Sequence, residues 1–368
     1  MPINLNPVPA RIDPKVLAAL AKPQSGNPFS LSEKIEDRFR EMFFPDAASM
    51  NFFNCSREGL YEVALNSFAS GPVLIGMNGP FSQQWQTIAK SLNIDSEIID
   101  TAFGSGFDED LFEKALDEES YAAVFLVEID PFTGTQIDIA ALSGMIRKKL
   151  PDALVIVDCS ASFGSVRALN LKSEADVLLI GSEISLGLPP GLGMVILGER
   201  ANFKSIGFSG TGWSLNYARQ FRDIHSKSFR SLIPFQLLNA LDRQLDLIFL
   251  EGIENRIKRI ESLSEKMKGW ADANQFEIFT RPEFRSPTVT VFKKPLLFTV
   301  QNLMDFLSSY GIIIGNCPDD MRDDYFVIAH MNQTTEEEMT LFLDVLDRFL
   351  ADYDTKKSIP VVSKLSPQ

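Results

Sequence analysis

Short apolar runs alternate with helical segments through the first half of this chain, and this alternation restricts the fold more than any other sequence feature. Strands are predicted at 73–77, 97–99, 122–127, 154–157 and 177–180, with helices at 82–92 and 137–149 among them. Strands in which nearly every residue is apolar are typical of a parallel sheet covered by helices on both faces. The sequence therefore predicts an α/β domain with a mostly parallel sheet.

Polar residues stand where the predicted strands end. Asn78, Asp130, Asp158 and Ser182 each lie at or just beyond the end of an apolar run. In open α/β sheets, ligands bind beyond the carboxyl ends of the strands. We therefore expect any small-molecule site to lie among these residues.

The first part of the chain predicts an extended arm that leads into the α/β domain. Residues 1–31 contain six prolines and one short helical segment at 14–20. Ser32 is predicted to cap the next helix, whose apolar residues recur at helical spacing. The large α/β domain is accordingly assigned to residues 32–255.

A smaller α+β domain is predicted after a continuous helical stretch at 234–274. This domain is assigned to residues 256–353, and residues 354–368 are predicted to be a tail. Its predicted elements are strands at 277–280, 288–292, 312–315 and 326–329 and helices at 300–310 and 335–353.

Composition narrows the possible functions. With 368 residues, of which 45% are hydrophobic, the chain is long enough to bury a large core. The 35 Lys and Arg residues against 49 Asp and Glu disfavour contact with a phosphate backbone, so we expect no nucleic-acid partner. Three scattered cysteines predict neither a disulfide framework nor a metal site. Without a signal peptide or a membrane-spanning apolar run, the chain is predicted to be cytoplasmic.

Several motifs, taken in chain order, resemble class V pyridoxal-phosphate (PLP) aminotransferases of the alanine:glyoxylate and serine:pyruvate group. They include LNPVPARIDPKVLAAL, MNGPFSQQW, VIVDCSASFGS, GSEISLGLPPGLG and FVIAHMN. The matches span nearly the whole chain. The resemblance implies fold type I, which is the aspartate-aminotransferase fold, and a homodimer with each active site at the subunit interface.

The resemblance also assigns roles to individual residues. PLP chemistry needs a lysine amine for an imine, an acid beside the pyridine nitrogen and an aromatic ring stacked on the cofactor. Asp158 matches the acid and Phe81 the aromatic residue, whereas Ile184 stands at the lysine position. Val327 stands where the family has the arginine that binds the substrate carboxylate.

The positions implied for the cofactor phosphate differ from the family pattern as well. The glycine-rich turn reads CSRE at residues 55–58, and Glu183 replaces the glutamine before the lysine. Phe229 and Leu232 replace a tyrosine and a threonine that the partner subunit contributes in the family. Carboxylates repel a phosphate, and Arg57 offsets part of this repulsion if it points inward. We therefore expect weak PLP binding or none.

The vestigial pocket is predicted to consist of Ser56, Arg57, Glu58, Phe81, Asp130, Asp158, Ser182 and Glu183. The first hypothesis is a divergent homologue without catalytic residues, acting as a binding, regulatory or scaffolding subunit in a homodimer or beside a paralogue. The second is a repurposed enzyme whose acidic pocket, with Glu58, Asp130, Asp158 and Glu183, converges with His330 and Arg57 and performs acid–base or metal chemistry. The third is conventional transamination, for which the chain supplies no lysine. No cofactor is predicted, and a small-molecule ligand is left open.

Overall fold

The computed structural model describes residues 2–23, 26–207, 210–226, 234–318 and 321–357. The strands are β1 (Ile3–Leu5), β2 (Ser49–Phe53), β3 (Val73–Met77), β4 (Ser96–Asp100), β5 (Ala123–Val127), β6 (Ile129–Asp130), β7 (Thr135–Gln136), β8 (Leu154–Asp158), β9 (Val177–Gly181), β10 (Gly193–Leu197), β11 (Val289–Lys293), β12 (Ile312–Asn316) and β13 (Tyr325–Ala329). The helices are α1 (Pro14–Leu20), α2 (Pro28–Met42), α3 (Arg57–Phe68), α4 (Pro80–Ser91), α5 (Glu109–Glu118), α6 (Ile139–Lys149), α7 (Glu199–Gly207), α8 (Tyr217–His225), α9 (Phe235–Glu251), α10 (Ile253–Ala273), α11 (Val300–Ser309) and α12 (Glu336–Lys357).

The larger sheet has seven strands within the described residues, in the order β2-β10-β9-β8-β5-β3-β4. The five strands from β9 to β4 are mutually parallel, whereas β10 runs antiparallel to both of its neighbours. The five strands predicted from the apolar runs are these parallel strands, so the prediction of a mostly parallel α/β sheet is confirmed.

Strand β5 explains why these runs lack a polar face. Ala123, Phe125 and Val127 belong to the apolar cluster that includes α3 and α4, whereas Val124 and Leu126 belong to the cluster that includes α2, α6 and α9. Successive side chains of a strand point to opposite faces, so a sheet buried on both faces needs apolar residues at every position.

The smaller sheet combines the C-terminal part of the chain with the first residues. Its order is β1-β12-β13-β11, and β1 pairs parallel to β12. Helices α10, α11 and α12 supply apolar side chains to the core beneath it. The predicted arm therefore contributes an edge strand to this chain's own sheet, in addition to the predicted helix α1.

Helix α2 begins earlier than predicted. Asn27 caps it, accepting a hydrogen bond from the N–H of Phe29, and Pro28 occupies the first helical turn. The prediction of Ser32 as the N-cap is wrong. Ser32 lies inside the helix, where its hydroxyl donates to the carbonyl of Phe29.

The predicted helical stretch at 234–274 is two helices rather than one. Gly252 separates α9 from α10 with a φ of 80°, a value that favours glycine because other residues lack that conformational freedom. The prediction of a strand at 277–280 is also wrong, since the structure has a single isolated β-bridge there, between Ile278 and Phe292. Helix α12 extends to Lys357 and takes in the first residues of the predicted tail.

Strands β2 and β10 were not predicted from the sequence. Both are fully buried and pair with each other along one end of the sheet. Strand β10 directly follows the loop that resembles the family's lysine loop, and it pairs with β9 on its other side. In the described part of the chain, no helix combines the length and the apolar character needed to cross a membrane.

Candidate functional site

The candidate site lies at the carboxyl ends of β8 and β9, where the loop at 182–192 passes the start of α3. Asp158 is the last residue of β8, and Arg57 is the first residue of α3. These positions follow from the parallel sheet, because its strands present their carboxyl ends on one edge. The residues predicted for the vestigial pocket are thus brought to one region of the fold.

Arg57 points into the protein and is only 3% exposed. Its guanidinium carbon lies 3.5 Å from the centre of the Phe81 ring and 5.0 Å from that of Tyr61. Its Nη1 lies 3.9 Å from Oδ2 of Asp158, and its Nη2 donates to Gln84. We call Arg57, Tyr61, Phe81, Gln84 and Asp158 the Arg57 cluster.

The charge of Arg57 is retained in this buried position. Burial lowers the pKa of Arg57, but Tyr61, Asp158 and Glu58 outweigh that effect, so the pKa stays above its ordinary value. Glu58 itself is about half exposed and lies 3.0 Å from Nη2 of Arg57. Burial raises the pKa of Glu58, but the attraction of Arg57 and the hydrogen bonds from Ser56 and the backbone together outweigh it, so the pKa lies below its ordinary value.

Asp158 is fully engaged with its own chain. The Tyr61 hydroxyl donates to Oδ2 at 2.5 Å, and the N–H of Ser160 donates to Oδ1 at 2.8 Å. Burial raises the pKa of Tyr61 well above its usual value, so the phenol remains a proton donor in this bond. With these two donors and the nearby Arg57 charge, the carboxylate has internal partners on both oxygens.

Glu183 supplies an anion to the start of α3. Its Oε1 accepts a hydrogen bond from the N–H of Arg57 at 3.3 Å, and the side chain is 7% exposed. Helix N-termini attract negative charge because their first N–H groups are unpaired within the helix. Burial raises the pKa of Glu183, and its Oε2 has no hydrogen-bond partner among the described residues.

Asp130 ties the β6–β7 hairpin to α4. Its carboxylate accepts hydrogen bonds from the N–H groups of Phe81, Phe132 and Thr133, at 2.8, 2.9 and 3.0 Å. Burial raises the pKa of Asp130 to about 6, and these three bonds oppose that shift. Asp130 is therefore a structural carboxylate whose acceptor positions are used by the backbone.

The loop at 182–192 is closed by its own hydrogen bonds. The Ser182 hydroxyl donates to the carbonyl of Pro189 and accepts from the N–H of Leu192. Ile184, at the predicted lysine position, is 0% exposed, and its carbonyl accepts a hydrogen bond from Asn332. Its side chain belongs to the same apolar cluster as Val327. Position 184 is therefore part of the core.

The N-terminal arm crosses this loop in the same chain. The N–H of Ala10 donates to the carbonyl of Glu183 at 3.0 Å. Gly187 has a φ of 60°, and an added Cβ there would lie 2.8 Å from the carbonyl oxygen of Arg11. Glycine is required at this position by both the backbone conformation and the close approach of the arm.

The remaining predicted residues occupy ordinary structural positions. Ser56 is the N-cap residue of α3, although its side chain makes no capping hydrogen bond. Val327 is fully buried in β13, opposite Val291. Phe229 and Leu232, predicted to face the site from a partner subunit, lie outside the described residues.

His330 is buried and neutral. Its Nδ1 donates to the carbonyl of Pro287, and its Nε2 accepts from the Thr290 hydroxyl, at 3.0 and 3.1 Å. Burial lowers the pKa of His330 to about 4. His330 follows β13 directly and is a neutral imidazole with both nitrogens hydrogen-bonded. It is therefore a structural histidine rather than a base in the site.

His330 predicts a pH dependence of stability. The pKa of His330 in the folded protein, about 4, is below its value of about 6.5 in the unfolded chain. Neutral His330 therefore contributes its full free energy of stabilisation above about pH 6.5, and this contribution is lost as the pH falls towards 4. In urea unfolding, the stability advantage of wild type over His330→Gln should shrink by about 3 kcal/mol between pH 6.5 and 4. Other titrating groups cancel in this difference. An advantage that stays constant with pH would contradict the assignment.

PLP does not fit this arrangement. The Arg57 guanidinium covers the Phe81 ring at contact distance, and a cofactor ring cannot share that space. Position 184 carries no amine. Lys172 and Lys204 bind acceptors at the protein surface, and Lys227 lies outside the described residues. The described part of the chain also contains no cluster of three or more His, Cys, Asp or Glu side chains able to hold a metal ion.

Sequence reasoning missed two members of the Arg57 cluster. Tyr61 lies four residues after Arg57 on α3, and Gln84 lies three residues after Phe81 on α4. These spacings place each pair on one helix face, so helical periodicity was the signal that could have found them. Trp85 stacks on Tyr61 with ring centres 3.7 Å apart and so packs against the Arg57 cluster.

The architecture is that of the fold type I PLP-dependent transferases. An aspartate aminotransferase from Thermus thermophilus superposes with a TM-score of 0.86 and 23% identity, covering 95% of this chain and 99% of that one. An alanine–glyoxylate aminotransferase from Nostoc sp. gives a TM-score of 0.87 at 21% identity and covers 95% of both chains.

The chain belongs to the aminotransferase class-V family, whose model matches residues 53–316. An uncharacterised aminotransferase of Methanocaldococcus jannaschii is 25% identical over 97% of this chain and 95% of its own length. The serine–glyoxylate aminotransferase of Methylorubrum extorquens is 29% identical over 72% of this chain and 69% of its own. The soluble hydrogenase 42 kDa subunit of Anabaena cylindrica is 25% identical over 78% of this chain and 76% of its own.

Proposed function

We propose that this protein is a class V aminotransferase homologue that does not transaminate and acts as a binding or regulatory subunit. The observation that carries the proposal is the position of Arg57, whose guanidinium stacks on Phe81 beside Asp158. Glu183 adds an internal anion at the start of α3. The chain thus places its own cation and its own anion in the region where the family would hold the ring and the phosphate of PLP.

A role as a subunit agrees with two further observations. One relative bears the name of a soluble hydrogenase subunit, so this family includes a chain described as part of a larger assembly. Phe249 and Leu250, at the end of α9, are 65% and 77% exposed, and apolar surface of this kind favours a protein partner. We propose a cytoplasmic homodimer, or a heteromer with a paralogue, as the form that acts.

The alternative of a repurposed acidic enzyme has less support. Asp130 and Asp158 use their oxygens to bind their own chain, and Glu183 is bound to the start of α3. Glu58 is the exposed acid of the set and pairs with Arg57. A general base needs an acceptor that reaches the substrate, and these carboxylates are held by the fold instead.

The proposal is tested by adding PLP to the purified protein. We expect no internal-aldimine absorbance, no borohydride-trapped lysine adduct in the site, and no transfer of an amino group from L-serine or L-alanine to glyoxylate. The serine–glyoxylate aminotransferase of Methylorubrum extorquens, treated in the same way, is the positive control. Turnover, or an adduct on a lysine of the site, would overturn the proposal. Light scattering that gives the mass of a single 41.1 kDa chain would exclude the homodimer.

A further inference from the structure

A second group of charged side chains lines a cleft that shares no lining residue with the Arg57 cluster. The cleft has a volume of about 310 Å³ and lies between the β6–β7 hairpin, the start of α6 and the short helical turn Pro282–Phe284. Glu128, Arg167 and Arg285 are among its lining residues. A volume of this size suits a small organic ligand.

Glu128 is a buried acid whose nearby positive charge, that of Arg167, does not reach it as an ion pair. It is 5% exposed, its Oε2 accepts a hydrogen bond from the Ser162 hydroxyl, and it forms no ion pair with any described residue. Burial raises the pKa of Glu128 to about 7, although hydrogen bonds from Ser162 and Cys159 and the charge of Arg167 oppose that shift. A cationic group bound in the cleft would pair with this carboxylate directly.

Arg285 brings unused donors to the same cleft. Its Nε donates to the carbonyl of Thr280 at 3.0 Å, while its two terminal nitrogens have no hydrogen-bond partner among the described residues. Arg167, by contrast, already pairs with Glu174 at 2.7 Å. A guanidinium with two free terminal nitrogens is suited to a carboxylate, which it can bind through parallel hydrogen bonds.

The rest of the cleft is lined by both polar and apolar side chains. Ile137, Ile139, Leu169 and Phe284 contribute alkyl and aromatic surface, and Gln136, Asp138 and Glu283 add polar surface. Such walls accommodate the carbon skeleton of a ligand while a few polar groups fix its orientation. The cleft therefore combines acidic side chains, of which Glu128 is the buried one, with the guanidinium of Arg285 and some apolar surface.

We propose that this cleft binds a small zwitterion of the α-amino acid class, with its ammonium group at Glu128 and its carboxylate at Arg285. The site is separate from the Arg57 cluster, so the proposal goes beyond the function proposed above and does not depend on it. Binding of PLP at the old cofactor position would leave it intact.

The first test uses the unaltered protein and three probes of similar shape. Calorimetric titration should show binding of L-alanine, with at least tenfold weaker binding of L-lactate, which lacks the ammonium group. L-alaninamide, which lacks the carboxylate, should also bind at least tenfold more weakly than L-alanine. No binding of L-alanine, or equal binding of either analogue, would overturn the proposal.

The second test assigns the binding to this cleft. Glu128→Gln keeps the shape and the hydrogen bond from Ser162, and Arg285→Gln removes the guanidinium; each should weaken L-alanine binding at least tenfold. The matched control is Arg281→Gln, because Arg281 is exposed and does not line the cleft. Circular dichroism confirms that each variant is folded. L-alanine binding that survives both substitutions would place the ligand elsewhere and contradict the proposal.

Discussion

Replacing Arg57 with alanine is expected to destabilise the protein by about 3–5 kcal/mol, measured by urea unfolding at pH 7. The substitution removes a buried cation that stacks on Phe81 and lies 3.9 Å from Asp158. It also leaves a cavity between α3 and α4, where the guanidinium packs at present. The buried carboxylate of Asp158 then loses its countercharge and retains the donors Tyr61 and Ser160.

The control for this prediction is a double-mutant cycle with Asp158→Asn. Because the two charges are close and buried, the double variant should be less destabilised than the sum of the single variants, by about 1–3 kcal/mol. Arg57→Lys keeps the charge but loses the planar group that covers Phe81, so it should fall between wild type and Arg57→Ala. A loss below about 1 kcal/mol for Arg57→Ala would mean that the guanidinium is not held in the cluster.

Replacing Ile184 with lysine is expected to destabilise the protein by at least about 3 kcal/mol without restoring a cofactor site. Ile184 is completely buried in an apolar cluster, and the loop around it is closed by the hydrogen bonds of Ser182. A buried amine must either lose its charge or stay unpaired, and both cost free energy. Because Arg57 still covers Phe81, added PLP should give no aldimine absorbance.

Ile184→Met separates the effect of charge from that of shape. Methionine has a similar volume and no charge, so it should cost less than about 1.5 kcal/mol. If Ile184→Lys unfolds at the same temperature as wild type and forms an aldimine with PLP, the site around residue 184 has room for the cofactor. The proposed non-transaminating function would then lose its structural basis.

Much of the fold is predictable because it depends on local patterns. The apolar runs that become β3, β5, β8 and β9 are recognisable since a doubly covered sheet needs apolar residues at each position. The elements that depend on distant partners were missed. Strand β10 is stabilised by pairing with β9 and β2, and the helix break at Gly252 interrupts a pattern whose apolar periodicity continues on both sides.

The candidate site shows the same division between local and distant information. The ends of the apolar runs placed Asp158 at the edge of the sheet where a ligand is expected, and the resemblance to the family assigned Phe81 and Glu183 to the same site. Their partners were not predictable from spacing. Asp130 binds the N–H groups of Phe132 and Thr133 within its own turn, but the N–H of Phe81 lies on α4 and reaches Asp130 only in the folded chain.

The sequence by itself determined the alternating α/β pattern, the absence of a lysine at position 184 and the acidic residues Glu58 and Glu183, which the resemblance assigns to the phosphate region. These are properties of residue identity and order, which the chain carries before it folds. Only the tertiary structure decided that Arg57 turns inward onto Phe81 and towards Asp158. The physical reason is that a buried guanidinium needs partners for its charge and its donors, and here the aromatic face and the carboxylate that meet Arg57 come from α4 and β8.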